Sequence, residues 1–327
     1  MTSVTARRVA RAIQAGGPEV ITVETEALAP LQTGEALVRV AAVGLNHVET
    51  LARSGQYAIT FPFPYAVGFE GAGTVIATAP DAVVGIGARV CWTAVLGSCA
   101  THVIARSSLL APVPDAVTLE EAATLAHAAV TAEGLARHWP LSPGDVAIVW
   151  GAAGAVGRVL VSRLTDRGIH VIGIASGNRT DAVRALGARH VIDREAGDVG
   201  VRVLDSMAGR KAAVVFDPIG AATYDTSIRL LAPRGCLMNY GQLSGELPSI
   251  DLEQLMNAGS IFVTKYGPRA GVVAPGELAT IIAAALRRAE TQPLSSGVAA
   301  RFPLDGVVDA FRAMESGALG KVLVLPS

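Results

Sequence analysis

The sequence predicts an α/β protein built from two domains of different architecture. Its 327 residues are enough for about two domains of roughly 150 residues each. Residues 1–125 read as short strands separated by turns, which is typical of a small antiparallel, barrel-like unit. From about residue 126 strands alternate with helical segments, a pattern that predicts a doubly wound parallel sheet with helices on both faces.

The individual elements follow from short apolar runs bounded by Gly, Pro or Asp. In the first region we predict strands over 36–43, 73–77, 89–92 and 102–105. In the second we predict strands over 146–150, 170–175, 190–192, 213–216, 236–240 and 261–264, with one helix ending at 167 and another over 178–186. The tail predicts helices over 276–290 and 305–315 and a terminal strand over 321–325.

Composition excludes several classes of protein. Lys plus Arg number 27 against 28 Asp plus Glu, so a net charge of −1 argues against binding nucleic acid or an anionic membrane by bulk electrostatics. The sequence contains no uncharged apolar stretch of about 18 residues, so no membrane span is predicted. The first residues lack the apolar core of a secretory signal. The three cysteines, Cys91, Cys99 and Cys236, are odd in number and sparse, which fits a reducing cytoplasm.

A glycine-rich turn, Gly151–Gly157, follows the 146–150 strand and opens a helix, the context of a dinucleotide-binding turn. Gly154 would let the backbone approach a pyrophosphate, and Gly157 would permit close packing of the helix on the strand. The helix N-terminus would attract the phosphates. Ala152 replaces the first glycine of the usual pattern, so a tight turn of any α/β protein is the alternative. The strand–helix alternation around the turn favours a cofactor.

The end of the next strand bears on which nucleotide is bound. An NAD site usually has Asp or Glu there, about 20 residues past the turn. Here the 170–175 strand is followed by Ser176 and Arg179, and Arg194 follows the third strand. Charge-assisted hydrogen bonds from two arginines to a 2′-phosphate would each be worth roughly 1.5–3 kcal/mol. We therefore predict NADP(H); the alternative is that both arginines are solvated surface groups.

Several motifs in order resemble one known family. The segment 141–145 leading into 151–157 resembles the medium-chain dehydrogenase/reductase superfamily. The A-A-x-G-x-V-G form of the turn resembles its zinc-independent quinone oxidoreductase branch. Further blocks that resemble that branch lie at 44–49, 53–57, 68–73, 131–132, 215–220 and 241–245. The resemblance covers nearly the whole chain.

The resemblance implies a GroES-like β-barrel catalytic domain formed by residues 1–125 and 266–327. A Rossmann NADP(H)-binding domain, residues 126–265, would be inserted into it, with the active site in the cleft between the two. Such proteins are commonly homodimers joined through the edge of the cofactor sheet, which would be the stretch 261–266 here.

The residues at the family's metal positions predict that no metal is bound. Zinc alcohol dehydrogenases of the superfamily use a Cys in the first block and a His before the Glu in the second. This sequence has Asn46 and Phe69 there, and phenylalanine cannot ligate a metal. A catalytic zinc needs about three protein ligands. Cys91 and Cys99 have no partner pair for a structural zinc.

Without a Lewis acid, hydride delivery from NADPH to a conjugated acceptor is easier than alcohol oxidation, because hydrogen-bond donors can stabilise the developing oxyanion. The resemblance implies three catalytic residues. Tyr57 would hydrogen-bond or protonate the substrate oxygen, Asn46 would orient the substrate carbonyl or the nicotinamide ribose, and Thr131 would hold the nicotinamide. The alternatives are that Tyr57 packs across a turn, that Asn46 stabilises a loop and that Thr131 bonds its own helix backbone.

The expected cofactor-binding residues combine these motifs: Ala153, Gly154, Ala155, Val156, Gly157, Ser176, Arg179, Arg194, Gly220, Tyr240, Gly241 and Lys321. Aromatic residues expected as pocket walls are Phe61, Phe63, Tyr65, Trp92 and Tyr240. The leading function is reduction of a small-molecule quinone or α,β-unsaturated carbonyl. Two alternatives stay open: an enoyl-thioester reductase of fatty acid or polyketide synthesis, and an NADPH-binding protein with little turnover.

Overall fold

A computed structural model describes residues 4–57, 59–267 and 271–326. The chain divides into two compact units. The first, called the barrel unit, comprises Met1–Val130, Ala274–Thr291 and Ser295–Ser327. The second, called the sheet unit, comprises Thr131–Val273 and Gln292–Leu294. Each unit is described by itself.

The strands, in chain order, are β1 Ala6–Ala12, β2 Ile21–Ala27, β3 Glu35–Gly44, β4 Tyr65–Ala66, β5 Glu70–Thr78, β6 Arg89–Thr93, β7 His102–Arg106, β8 Ala111–Pro112, β9 Val146–Val149, β10 His170–Ala175, β11 His190–Asp193, β12 Ala212–Asp217, β13 Leu231–Asn239, β14 Phe262–Lys265, β15 Val298–Pro303 and β16 Lys321–Leu325. The α-helices are α1 His47–Arg53, α2 Leu119–His138, α3 Ala155–Asp166, α4 Thr180–Arg184, α5 Val199–Ser206, α6 Tyr224–Leu230, α7 Leu252–Asn257, α8 Leu278–Ala289 and α9 Val307–Glu315.

The barrel unit contains a seven-stranded sheet in the order β15-β16-β3-β5-β6-β8, with β7 also paired to β3. A smaller sheet has the order β2-β1-β4. The last strand, β16, pairs antiparallel with β3, so that Leu323 faces Gly44. This pairing places the start of β16 beside the end of β3, although the two strands lie at opposite ends of the chain.

The core of the barrel unit is built from valines of β3 and the strands around it, together with Trp92 and Phe311 of α9. β3 is a nearly continuous run of buried residues, which favours a strand covered on both sides.

The sheet unit contains six parallel strands in the order β11-β10-β9-β12-β13-β14. All four residues of β9 are buried, as expected for a central strand covered by helices on both faces. The strand order reverses at β9, whose neighbours are β10 and β12. In open α/β sheets ligands bind at the carboxyl ends of the strands beside such a reversal.

The fold class agrees with the sequence prediction, but several elements were not predicted, among them β1, β2 and α2. Strands β1 and β2 were missed because charged residues interrupt their apolar pattern. Arg7 and Arg11 of β1 pair across the sheet with glutamates of β2. Helix α2 was missed because it is alanine-rich and buried over most of its length, so it has little apolar–polar periodicity.

Some predicted bounds also change. β13 begins at Leu231, ahead of the predicted start at 236. The predicted helix over 178–186 is a 3-10 turn, Gly177–Arg179, followed by the short helix α4.

Candidate active site

A group of polar side chains surrounds the carboxylate of Glu70, the first residue of β5. Asn46 donates from Nδ2 to Glu70 Oε1 at 2.9 Å, and Lys321 donates from Nζ to Asn46 Oδ1 at 2.7 Å. Lys321 also forms an ion pair with Glu70. The backbone N–H of His127 donates to Glu70 Oε2 at 2.7 Å. These four residues, Asn46, Glu70, His127 and Lys321, are called the Glu70 cluster.

The ion pair of the Glu70 cluster is buried. Glu70 is 0% exposed and Lys321 is 6% exposed. Buried charges cost several kcal/mol each unless they are paired and hydrogen-bonded, and here each charge has both kinds of partner. Gly44 provides the space for them, because a Cβ at that position would lie 2.6 Å from Lys321 Cε and 2.7 Å from Glu70 Oε1.

The local structure between β3 and α1 fixes the position of Asn46. It is the N-cap residue of α1, placed just after the end of β3, and its backbone N–H donates to Glu49 Oε1 at 3.1 Å. Its side-chain amide also donates to the carbonyl of Gly44 at 3.2 Å. Both amide hydrogens of Asn46 are therefore engaged within the barrel unit, whereas Oδ1 uses one of its two lone pairs.

Glu49 lies close to this cluster and differs from Glu70 in its ionisation. Burial and the negative charge of Glu70 raise the pKa of Glu49 to about 8. Glu49 is therefore mostly protonated at neutral pH, because a buried carboxylate charge is unfavourable, and more so beside the charge of Glu70. Its Oε2 atom has no hydrogen-bond partner.

Burial also lowers the pKa of His127, so its imidazole is neutral at pH 7. Its Nδ1 lies 3.5 Å from Thr93 Oγ1, and its ring centroid lies 6.5 Å from that of Phe69.

The side chains at the family's metal positions do not fit a catalytic zinc. Lys321 brings its positive charge to the oxygens of Asn46 and Glu70, where a metal ion would compete with it. Phe69 offers no ligand atom. Across residues 4–57, 59–267 and 271–326, no group of three or more His, Cys, Asp or Glu could hold a metal ion. The three cysteines are buried, and burial raises the pKa of each thiol.

The structure places the other two predicted catalytic residues in different settings. Tyr57 lies in the bend after α1 and is half-buried. Thr131 lies inside α2 and is also half-buried. Their roles stay predictions.

The predicted pocket walls divide into two groups. Trp92 is not a wall: it is fully buried in the core, and its indole N–H donates to Ser98 Oγ at 2.9 Å. Phe61 and Phe63 have ring centroids 5.2 and 5.3 Å from that of Tyr65. Phe63 is 37% exposed, whereas Tyr65 is buried, with a pKa that burial raises to about 12.

The glycine-rich turn of the sheet unit lies between β9 and α3. Gly154 is the N-cap residue of α3, which starts at Ala155. A Cβ on Gly157 would lie 2.2 Å from the carbonyl oxygen of Gly151, so the helix packs directly on the turn. The turn thus has the close packing expected from its glycine pattern, and its helix N-terminus can attract an anion.

The next two turns bring Ser176 and Arg179, after β10, and Arg194, after β11, to one edge of the sheet. β10 pairs with β11 so that Ala175 faces Asp193, and Arg194 N donates to Ala175 O at 2.9 Å. Asp193 Oδ1 accepts hydrogen bonds from the backbone N–H groups of Glu195 and Gly177, each at 3.0 Å. These two N–H groups hold the pKa of Asp193 below its ordinary value. Sequence reasoning missed Asp193, although an Asp just before Arg194 is a visible signal.

The ends of β12 and β13 form a third part of this edge. Asp217 Oδ1 accepts from the N–H of Gly220 at 3.3 Å, and Asn239 Nδ2 donates to the carbonyls of Asp217 and Gly241 at 3.1 and 2.8 Å. Tyr240 N donates to Asp217 O at 2.9 Å. A Cβ on Gly241 would lie 2.4 Å from the Pro218 carbonyl oxygen, so glycine is needed there for packing.

Two family models match the chain. A model described as "Alcohol dehydrogenase GroES-like domain" matches residues 32–134, and one described as "Zinc-binding dehydrogenase" matches residues 155–270.

Curated relatives and solved structures agree with those matches. A quinone oxidoreductase of Pseudomonas aeruginosa is 35% identical over 257 residues, which cover 76% of this chain and 78% of that protein. A 2-haloacrylate reductase of a Burkholderia species is 29% identical over 329 residues, covering 95% of this chain and 96% of that protein. The solved structure of a mycobacterial protein complexed with NADPH matches with a TM-score of 0.83 and 32% identity, covering 98% of this chain and 100% of that one. The chain therefore belongs to the quinone oxidoreductase family of the medium-chain dehydrogenase/reductase superfamily.

Proposed function

We propose that this protein transfers a hydride from NADPH to a small quinone or α,β-unsaturated carbonyl compound. The observation that carries the proposal is the edge of the sheet unit. There the glycine-rich turn at the start of α3 and the arginine-bearing turns after β10 and β11 lie at the carboxyl ends of neighbouring strands. They are next to the reversal of strand order at β9. The names of the relatives, a quinone oxidoreductase and a 2-haloacrylate reductase, support this acceptor class.

The residues of this edge fit NADPH. The backbone from Ala153 to Gly157 would hold the pyrophosphate, and Ser176, Arg179 and Arg194 would hold the 2′-phosphate. Gly220, Tyr240 and Gly241 lie on the turns after β12 and β13 and would line the nicotinamide end. When bound, the cofactor supplies the hydride. A mycobacterial neighbour is complexed with NADPH, which supports the choice of nucleotide.

The contacts of Asn46 favour one of its two predicted roles. Orienting a substrate carbonyl would require an amide N–H, but both are donated to Gly44 and Glu70. Oδ1 still has a lone pair beyond the one that Lys321 occupies. We therefore assign Asn46 to accept a hydrogen bond from a ribose hydroxyl of the cofactor. Lys321, whose ammonium has three N–H donors, would keep one for the cofactor phosphates.

Tyr57 is then the proposed donor to the substrate oxygen, and Thr131 is proposed to hold the nicotinamide. Stabilising the oxyanion that develops on the acceptor needs at least one such donor. If Tyr57 donates the proton, Tyr57→Phe should lower kcat about 10²-fold with little change in the Kd for NADPH. An unchanged kcat on the best acceptor would remove Tyr57 from the mechanism.

The function is tested by NADPH oxidation against three acceptor classes: quinones, small enones including 2-haloacrylate, and enoyl thioesters. We expect the highest kcat/KM with a quinone or enone. A kcat/KM at least tenfold higher for an enoyl thioester would replace the proposal with the thioester-reductase alternative. NADPH binding without turnover on any acceptor would favour the other alternative, an NADPH-binding protein that is not primarily an enzyme.

We also propose a homodimer joined through β14, the edge strand of the parallel sheet, in the stretch 261–266. Its support is the outer edge of β14, with which no strand pairs among the described residues, and the side chain of Phe262, which is 49% exposed. Light scattering should give twice the chain mass, and Val263→Pro should convert it to a monomer. A wild-type monomer would contradict the proposal.

We propose the cytoplasm as the compartment, which the three buried, unpaired cysteines support. Among the described residues, no helix is both long enough and apolar enough to cross a membrane.

A further inference from the structure

One carboxylate joins the two turns that carry the proposed 2′-phosphate ligands. Asp193 ends β11, and its Oδ1 accepts from Gly177 N in the turn after β10 and from Glu195 N in the turn after β11. The first turn carries Ser176 and Arg179, and the second carries Arg194. Both hydrogen bonds converge on a single oxygen at 3.0 Å.

Besides this oxygen, a backbone hydrogen bond from Arg194 N to Ala175 O at 2.9 Å ties the start of the second turn to the end of β10. The first is a single 3-10 turn over Gly177–Arg179, and Gly177 is in the left-handed region with φ +44°. The second is an exposed loop over residues 194–198, before α5. Short exposed turns open at little cost in free energy. The shared acceptor is therefore an important restraint on the distance between Arg179 and Arg194.

The charge of Asp193 acts in the opposite direction. A carboxylate beside the proposed phosphate pocket repels a dianionic phosphate. Arg194 and Arg202 both favour the ionised carboxylate, and Arg202 Nη1 donates to the backbone carbonyl of Asp193 at 2.6 Å.

We propose that Asp193 is a positioning residue for nucleotide specificity: its Oδ1 holds the two arginine-bearing turns in the spacing that a 2′-phosphate requires. This rests on the proposed NADPH function. The acceptor atom then favours the phosphorylated cofactor, while the carboxylate charge weakens its binding. Two substitutions separate these effects, because asparagine keeps an oxygen acceptor and removes the charge, whereas alanine removes both.

The test is equilibrium binding of NADPH, NADH, adenosine 2′,5′-bisphosphate and 5′-AMP by calorimetry, which needs no acceptor and no turnover. Asp193→Ala should raise the Kd of NADPH and of the bisphosphate about tenfold. Asp193→Asn should lower both about two- to threefold, and this gain should shrink at high salt. The Kd of NADH and of 5′-AMP should change less than twofold in both variants.

Asp198 provides the matched control, since its Oδ1 also accepts a backbone N–H, from Val201 at 2.9 Å. Asp198→Ala should leave the NADPH to NADH ratio of Kd values unchanged, and thermal unfolding of each variant checks that it is folded. An unchanged ratio in Asp193→Ala would overturn the proposal. So would an Asp193→Asn variant that loses NADPH affinity as Asp193→Ala does. A loss confined to NADH would instead make Asp193 a ribose ligand and would equally overturn it.

Failure of the underlying function gives a different result. If the unmodified protein binds 5′-AMP as tightly as adenosine 2′,5′-bisphosphate, the NADPH preference itself is wrong, whatever the Asp193 variants do.

Discussion

The Glu70 cluster of the barrel unit is built from different groups than the proposed cofactor-binding edge of the sheet unit. This edge comprises the turns after β9, β10, β11, β12 and β13 and is called the nucleotide edge. The cluster is a buried ion pair between side chains of residues 70 and 321, with hydrogen bonds from Asn46 and His127. The nucleotide edge is mostly backbone: glycine turns, a helix N-terminus and N–H groups held by Asp193 and Asp217. Of the charged side chains there, Asp217 is buried, Arg179 is half-buried and Arg194 is exposed. The first site is therefore sensitive to loss of a charge, and the second to loss of a turn geometry.

The largest expected effect is on the buried pair. Lys321→Met keeps the side-chain length and leaves Glu70 without its cation, which should lower the free energy of unfolding by about 3–5 kcal/mol. Urea unfolding at pH 7 measures this. Part of the loss should return in the double variant Lys321→Met with Glu70→Gln, which removes the unpaired charge.

The control for that prediction is an exposed ion pair of the same unit. Arg301 pairs with Glu120 at 2.7 Å, and their side chains are 52% and 36% exposed. Arg301→Met should cost less than about 1 kcal/mol because water screens such pairs. Equal losses for the two variants would contradict the contrast between the buried and the exposed pair.

The next effect concerns the nucleotide edge. Arg179→Ala should raise the KM for NADPH by about tenfold or more, because a charge-assisted hydrogen bond to a phosphate is worth roughly 1.5–3 kcal/mol. The KM for NADH should change little, and so should the free energy of unfolding. Steady-state kinetics with both cofactors measures the ratio.

Arg184→Ala is the matched variant, since Arg184 lies on α4 and pairs with the exposed Asp181. It should leave both KM values unchanged. Equal losses of NADPH and NADH in Arg179→Ala would show that Arg179 does not read the 2′-phosphate.

A further effect concerns Glu49, the second buried carboxyl group of the barrel unit beside Glu70. The pKa of Glu49 is raised to about 8, so between its ordinary value of 4.5 and pH 8 the folded chain holds a proton that the unfolded chain releases. The contribution of this group to stability therefore falls as pH rises through that window and is constant outside it. Glu49→Gln stays neutral, so it should nearly match the unmodified protein at pH 4.5 and exceed it by up to about 4 kcal/mol at pH 8.

Unfolding in urea at both pH values measures this difference. The exposed Glu246→Gln should show no pH-dependent gain. A Glu49→Gln variant that is no more stable at pH 8 than at pH 4.5, relative to the unmodified protein, would show that Glu49 is ionised in the folded chain.

Local patterns were sufficient for much of this molecule. The apolar runs of β9, β10 and β12 predict their own strands, because a buried parallel strand must be apolar along its whole length. The glycine spacing of 151–157 predicts a turn that packs tightly under a helix, and the structure has that packing. Helix α2 was not predicted, because a buried alanine-rich helix shows little of the apolar–polar alternation that marks a helix in the sequence.

The amino-acid sequence by itself thus determined the α/β class, the glycine-rich turn and the absence of a carboxylate at the tip of β10, because each depends on residues close together in the chain. Only the tertiary structure decided which polar groups meet. Asn46 and Lys321 are 275 residues apart, and the pairing of β16 with β3 brings them together. Asp193 joins Gly177 because β11 lies beside β10. Contacts of this kind depend on strand order, which no local pattern encodes.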